Sequence, residues 1–348
     1  MTQYHQKKIA MINDLSGYGR CSITAALPVL AALKIQCCPV PTSVLSNHTG
    51  FPVYFFDDYT DKMEPYVEKW KELGLSFDGI VSGFLGSERQ IQIVKNMITE
   101  FKGPETKVIV DPIMGDHGEA YATYTEAMCR KMKELAEMAD VLTPNLTEAC
   151  ILTDRPYKKE GWTRKEIEEL AKELLAMGPC GVVITGMREG QYLVNAVAEK
   201  GKAMTYIRRK KIGTERPGTG DVFSSVVAGV CVRGGSLTEG VALAADFVKD
   251  CIRRSEELQI PVENGVCFEE LMGQLVRYKG KESFSMLLNV KKVFSIVTKC
   301  YILNNSWRRM EYIPYKRSLY NKEMKIQEEH HVRFKVCQRK SRHRKAEH

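Results

Sequence analysis

The sequence predicts an α/β fold, a three-layer α/β/α sandwich with a mostly parallel central sheet and helices on both faces. Three observations carry this expectation. Through residues 1–280, apolar runs of strand length alternate with amphipathic helical segments, the pattern of parallel strands joined by helical crossovers. The 44% apolar content of a 348-residue chain is ample for one large α/β domain. Glycines and small polar residues recur directly after the apolar runs, and such a sheet binds its ligand at the carboxyl ends of its strands.

In order, Lys8–Asp14 reads as the first strand and Leu15–Gly19 as a glycine-bearing turn into a helix over about Ser22–Leu33. Gln36–Leu45 is extended, and Asp61–Leu73 carries Met63, Tyr66, Val67 and Trp70 at helical spacing. Phe77–Gly83 and Lys107–Asp111 are apolar strands with a helix over about Ser87–Phe101 between them. A helix near Thr125–Met138, a strand Val141–Thr143, a helix from about Leu146, a helix Thr163–Met177 and a strand Gly181–Thr185 follow. Tyr192–Ala196 and Met204–Arg208 read as a hairpin pair, and helices Leu237–Leu258 and Phe268–Tyr278 close the pattern. The strand ends would gather Asn13-Asp14, the segment 46–50, Gly83-Phe84, Asp111, Asn145 and Thr185 on one rim.

Charge divides the chain. The net +8 is the sum of +11 in residues 281–348 and −3 in residues 1–280. A mildly acidic body with a basic extension differs from a basic nucleic-acid-binding domain. The extension, 281–348, is expected to be poorly ordered, with nonspecific nucleic-acid binding the most that its charge implies. Eleven scattered cysteines, without a Cys-x-x-Cys pair, suit the reduced thiols of a cytoplasmic protein. No apolar run approaches the length of a membrane helix, and the polar start leads straight into a strand, which leaves no room for a signal peptide.

The stretch with the clearest chemistry is Gly218-Thr219-Gly220-Asp221, directly before an apolar run with Val222, Val226 and Val230 four apart. Glycines at a helix N-terminus make an anion site, because free N–H groups and the positive dipole end favour phosphate. Asp221 has two readings there. It caps the helix, or it removes the proton of a hydroxyl that attacks a phosphoryl group. Neither a P-loop nor a dinucleotide fingerprint is present.

Taken with Asp111-Pro112-Ile113-Met114-Gly115-Asp116, Thr143-Pro144-Asn145-Leu146-Thr147-Glu148 and Ser46-Asn47-His48-Thr49-Gly50, this stretch resembles the ribokinase-like superfamily and, within it, the pyridoxal/pyridoxamine kinases. The likeness covers about residues 8–278. Gly-Thr-Gly-Asp marks only the superfamily, whereas the Ser-Asn-His-Thr-Gly segment is narrower. Hydroxymethylpyrimidine kinases, the nearest neighbours, often carry cysteine where this chain has Asp221.

The resemblance implies an ATP- and Mg²⁺-dependent kinase acting on the 5′-hydroxyl of a vitamin B6 vitamer, commonly a homodimer, with a monovalent cation as a further cofactor candidate. Asp221 would be the base, and the amides of Gly218, Thr219 and Gly220 would stabilise the transferring phosphoryl group. Asp116 and Glu148 would hold Mg²⁺. Asp111 and Asn145 would support the phosphates and metal, Thr185 would meet the nucleotide and Phe223 would pack near adenine. On residue type alone, Asn145 is a helix cap and Phe223 is core. The pyridine ring would meet Asp14, Thr49 and Phe84 with His48 close by, although a lone histidine in such a loop is more often structural than catalytic. Asp14 departs from the commoner serine, so it bears on vitamer preference. The competing expectations are a hydroxymethylpyrimidine or other ribokinase-like kinase and a non-catalytic vitamer-binding protein.

Overall fold

The first strand shows why the sheet is covered on both sides. In a computed structural model that describes residues 5–280, Ile9 and Met11 enter one apolar cluster while Ala10 and Ile12 enter another. Alternate residues point to opposite faces of a strand, so a strand apolar at every position must be buried twice.

The elements run β1 (Lys8–Tyr18), α1 (Ser22–Ala32), β2 (Gln36–Asn47), β3 (Phe56–Asp58), α2 (Thr60–Glu72), β4 (Gly79–Ser82) and α3 (Glu88–Phe101). Next come β5 (Lys107–Val110), β6 (Gly115–Asp116), β7 (Glu119–Ala120), α4 (Glu126–Glu137), β8 (Val141–Leu142), α5 (Leu146–Thr153) and α6 (Arg164–Ala176). The last are β9 (Gly181–Glu189), β10 (Tyr192–Glu199), β11 (Thr205–Lys210), α7 (Thr219–Val232), α8 (Leu237–Glu257) and α9 (Met272–Val276). Helices α2 to α6 supply one apolar cluster, and α1, α7, α8 and α9 the other.

The main sheet has the order β11-β10-β9-β8-β5-β4-β1-β2-β3. Its middle, from β2 to β9, is parallel, and antiparallel strands finish both edges. The expected three-layer architecture is thus observed. β1 is the switch point, since the chain leaves it for β2 on one side and returns to β4 on the other. In open α/β sheets the crevice beyond the carboxyl ends of such strands takes the ligand.

Strands β3, β6 and β7 were not expected, and two expected elements take another form. The turn expected at Leu15–Gly19 is strand, because pairing with β2 continues to Tyr18 opposite Asn47. The register shifts between Asn13 and Leu15, and a bulge of this kind re-aims the side chains beside it. The expected helix Phe268–Tyr278 is a 3₁₀ turn, Glu269–Leu271, followed by the five-residue α9. Phe268 offers no side-chain cap, and Gly273 weakens the segment as an α-helix. The basic extension 281–348 lies outside the described residues. Among those described, nine cysteines are free thiols, and no helix is long and apolar enough to cross a membrane.

Candidate active site

α7 begins at Gly218, whose φ of 78° lies in the left-handed region. A Cβ there would overlap the carbonyl oxygen of Arg20 and stand 3.1 Å from the Cα of Cys21, the N-cap of α1. Two helix N-termini are therefore packed together, and only glycine lets them approach so closely. Val222 N donates to Gly218 O at 3.0 Å, the first i→i−4 bond of α7, so the amides before it have no intrahelical acceptor. A Cβ on Gly220 would meet nothing within 4 Å, which leaves open space over the loop. Thr219 Oγ1 closes the turn by donating to Arg216 O at 3.0 Å. The buried Arg216 guanidinium donates to the carbonyls of Ile260, Pro261 and Gly265 at 2.9 to 3.2 Å and pairs with Glu256 at 3.1 Å. The anion loop is thus anchored to the segment after α8.

Asp221 stands on the first turn of α7 and keeps some contact with solvent. Desolvation by the surrounding protein nevertheless pushes its carboxyl up to about 6, and repulsion from Asp14 adds to the rise, while the Ser22 amide and the Asn13 side chain favour the charged form. Asn13 Nδ2 donates to Asp221 Oδ1 at 3.1 Å. The carboxyl of Asp111, after β5, is raised by burial and by Asp221 nearby, and it accepts a hydrogen bond from Thr143 Oγ1 at 3.0 Å. A group titrating near neutrality beside an anion loop is suited to general-base work.

On the side of β1 and β2, Asp14 is 8% exposed and accepts from Ser16 Oγ at 2.8 Å. Burial raises its carboxyl, and the Ser22 and Ser16 hydroxyls oppose the rise. Phe84, just beyond β4, is half-buried with the apolar cluster beneath it. His48 has its ring nitrogens engaged by backbone, with Nδ1 accepting from Gly50 N at 3.1 Å and Nε2 lying 2.7 Å from Glu263 O. Those partners place the proton on Nε2, and the ring joins the loop after β2 to the segment after α8. Thr49 is exposed in that same loop.

On the other side, Asn145 caps α5. Its side chain accepts from Glu148 N at 2.9 Å and Nδ2 donates to Gly115 O at 2.8 Å. Glu148 answers as the other half of a capping box, taking Asn145 N at 2.8 Å and Met114 N at 3.2 Å on its two oxygens. Burial and the charges of Asp111 and Asp116 raise the Glu148 carboxyl well above its ordinary value. Asp116 is exposed on the β6–β7 hairpin and accepts from His117 N at 2.7 Å. Thr185 N continues the sheet to Pro144 O at 2.9 Å. Phe223 is 9% exposed and lies in the core cluster of α7.

Two residues here had no expected role: Asn13 was expected only on the rim, and Tyr121 not at all. Asn13 links the switch-point crevice to Asp221, and its position at the end of the first apolar run was the available signal. Tyr121, exposed after β7, has its phenol raised by burial and by Glu148, Asp116, Asp111 and Asp221 together. Its phenol is within electrostatic reach of those four carboxylates, and nothing in its local sequence announces that.

A sequence profile described as phosphomethylpyrimidine kinase matches residues 23–266. Over 279 residues the chain is 27% identical to the pyridoxal kinase PdxY of Rubrobacter xylanophilus, covering 75% of this chain and 93% of that protein. It is 25% identical over 304 residues to the chloroplastic thiamine biosynthetic bifunctional enzyme of Arabidopsis thaliana, covering 84% of this chain but spanning only 55% of that protein. Among solved structures it is similar to a Bacteroides thetaiotaomicron protein named as a phosphomethylpyrimidine kinase, with 37% identity, a TM-score of 0.77 and coverage of 80% of this chain and 97% of that one. A second crystal form of that protein contains pyridoxal.

Proposed function

The chain belongs to the phosphomethylpyrimidine kinase family, in the ribokinase-like superfamily, and from that premise we propose that it uses ATP to phosphorylate the 5′-hydroxyl of pyridoxal, pyridoxamine or pyridoxine. The observation that carries the reading is Asp221, a carboxylate raised to about 6 directly beside the glycine anion loop. Asp221 is not the cap of α7, which starts from Gly218 with no side-chain cap bond. The pyridoxal held by the Bacteroides protein supports the vitamer as substrate.

The substrate hydroxyl attacks the γ-phosphorus of ATP, its proton passes to Asp221, and the bond to the bridging oxygen of ADP breaks. The amides at the start of α7, which have no intrahelical acceptor, face the charge on the transferring group. Asp14, Thr49 and Phe84 form the vitamer side, with His48 holding the loop. Asp111, Asn145 and Thr185 form the nucleotide side, and Phe223 backs the adenine region from the core.

The donor set fits Mg²⁺. Among the described residues no three His, Cys, Asp or Glu side chains make a ready metal shell, but Mg²⁺ keeps most of its waters and needs only a carboxylate or two beside a triphosphate. Asp116 and Glu148 would hold it, and the repulsion by Asp111 and Asp116 that adds to burial in raising Glu148 is what a cation would relieve. When bound, the ion neutralises charge on the β- and γ-phosphates.

Glu148→Gln tests that assignment with two readouts. The Mg²⁺ concentration for half-maximal rate should rise, since one negative group is gone. Stability should also fall by about 1–3 kcal/mol, because the new NH₂ faces a backbone N–H that the carboxylate accepted. A lower thermal midpoint with an unchanged Mg²⁺ titration would leave Glu148 as a cap only.

Asp14→Ser tests vitamer recognition. If the carboxylate meets the protonated ring nitrogen or the amine of pyridoxamine, its loss costs about 1.5–3 kcal/mol for the vitamer that makes that contact. The ratio of kcat/KM between pyridoxamine and pyridoxal should shift accordingly. An equal loss for both would reduce Asp14 to a bulge residue of β1.

A second reading, a hydroxymethylpyrimidine-type kinase, is favoured by the family profile and by the name of the Bacteroides protein. ATP consumption against the three vitamers and hydroxymethylpyrimidine separates the two. Turnover of vitamers in preference to hydroxymethylpyrimidine is expected, and the reverse order would establish the second reading. Binding of vitamers without ATP consumption would indicate a carrier.

A further inference from the structure

Asn13 has every polar atom of its side chain committed. Oδ1 accepts from Asp14 N at 3.0 Å and from Phe84 N at 2.9 Å. An oxygen that takes two N–H groups cannot be exchanged with the amide nitrogen, so it is Nδ2 that faces Asp221 Oδ1 at 3.1 Å. Gly83 packs against this amide, and a Cβ there would meet Nδ2 at 2.5 Å. The segment that Asn13 holds is itself pinned at successive backbone groups. Phe84 O accepts from Thr42 Oγ1 at 3.1 Å, Leu85 O accepts from Tyr124 OH at 3.1 Å, and Gly86 N donates to Gln90 Oε1 at 2.7 Å. Those four side chains come from β1, β2, α3 and the segment before α4.

We infer that Asn13 is a positioning residue that holds Oδ1 of Asp221, aims the carboxylate at the proton of the substrate hydroxyl, and ties its orientation to the wall carrying Phe84. This rests on the reading of Asp221 as the base. The other groups around Asp221 do not substitute for Asn13. Asp14 on β1 and Asp111 beyond β5 face it as repelling carboxyls, and Cys21 on the N-terminal side of α1 and Tyr121 after β7 are pushed up by burial and, further, by its charge. The Ser22 amide favours the charged form as Asn13 does, but it does not reach the Phe84 wall through the same side chain. A vitamer seated on that wall therefore meets a base whose orientation the same amide sets.

Asn13→Asp separates the two roles. The new carboxylate keeps an acceptor for Asp14 N and Phe84 N but replaces the donor to Asp221 by a like charge. KM for pyridoxal should stay within about threefold, and the acid limb of the kcat–pH profile should move up by about one unit or more, as for two carboxylates sharing a site. At pH 7, kcat should fall about twofold for a shift of one unit and about tenfold for a shift of two, since a base moved from about 6 to about 7 is half protonated there. Asn13→Ser, which only removes atoms, should move the limb in the same direction and also raise KM. It decides the matter if Asn13→Asp does not fold. Wild-type kcat and an unmoved acid limb would overturn the inference. Asp221→Asn is measured alongside: if that variant keeps turnover, the reading of the base has failed, whereas its inactivity beside wild-type Asn13 variants would sink the positioning role alone.

Discussion

Asp221→Asn is expected to lower kcat by about 10²–10⁴, the usual span for removing a general base, while nucleotide affinity stays close to that of the parent. The amide keeps the size of the side chain and can still accept from Asn13 Nδ2, so the first turn of α7 should hold. The parent enzyme should also show the group in its pH profile. A carboxyl at about 6 must be ionised to take a proton, so kcat rises with pH through that value and levels off above it, and the limb should vanish in the variant. The same raised value has a consequence of opposite sign for stability. The folded state holds this proton more tightly than the unfolded chain, whose aspartates titrate near 3.9, so the contribution is fully present below that value and is lost as pH rises through about 6. Activity and stability therefore trade against each other at this residue over that window. Turnover within threefold of the parent would show that Asp221 is not the base.

Gly218→Ala is expected to be nearly as damaging to the rate, for a steric reason. The residue sits at φ 78°, where an L side chain is strained by about 1–3 kcal/mol, and its Cβ would overlap backbone of Arg20, which cannot swing aside as a side chain could. Relief requires α7 and α1 to separate at their N-termini. The amides that face the phosphoryl group would then move, and losing one such donor costs about 10²–10³ in kcat. A lower thermal midpoint, a lower kcat and weaker nucleotide binding should appear together. A variant with an unchanged rate would mean that the loop is not the phosphate site.

Much of this site was legible before any coordinates. Gly218 to Asp221 announced itself because anion binding by backbone amides needs glycine and a helix start in immediate succession, and that is a local pattern. Asn145 was readable as a cap for the same reason, three residues before Glu148. Asn13 was readable only as a polar residue at a strand end. Its hydrogen bond to Asp221 spans 208 positions, and no local pattern encodes a partner so remote. Glycines at 17 and 19 suggested a turn, but the backbone there continues as strand because β2 supplies a partner up to Asn47.

What the sequence determined by itself was the layer architecture and the glycine-opened start of α7. Both follow from short-range rules, apolar periodicity that must be buried on both faces of a strand and helix-start chemistry contained in four residues. Only the tertiary structure decided the electrostatics and aim of the site: that Asp14 adds to the burial that raises Asp221 and Asp221 to the burial that raises Asp111, that Tyr121 feels their charge, that Glu148 spends both oxygens on backbone amides, and that Asn13 donates to one oxygen of Asp221. Charge repulsion and desolvation depend on distance and enclosure, which are set by strand order and helix packing rather than by any residue's neighbours in the chain.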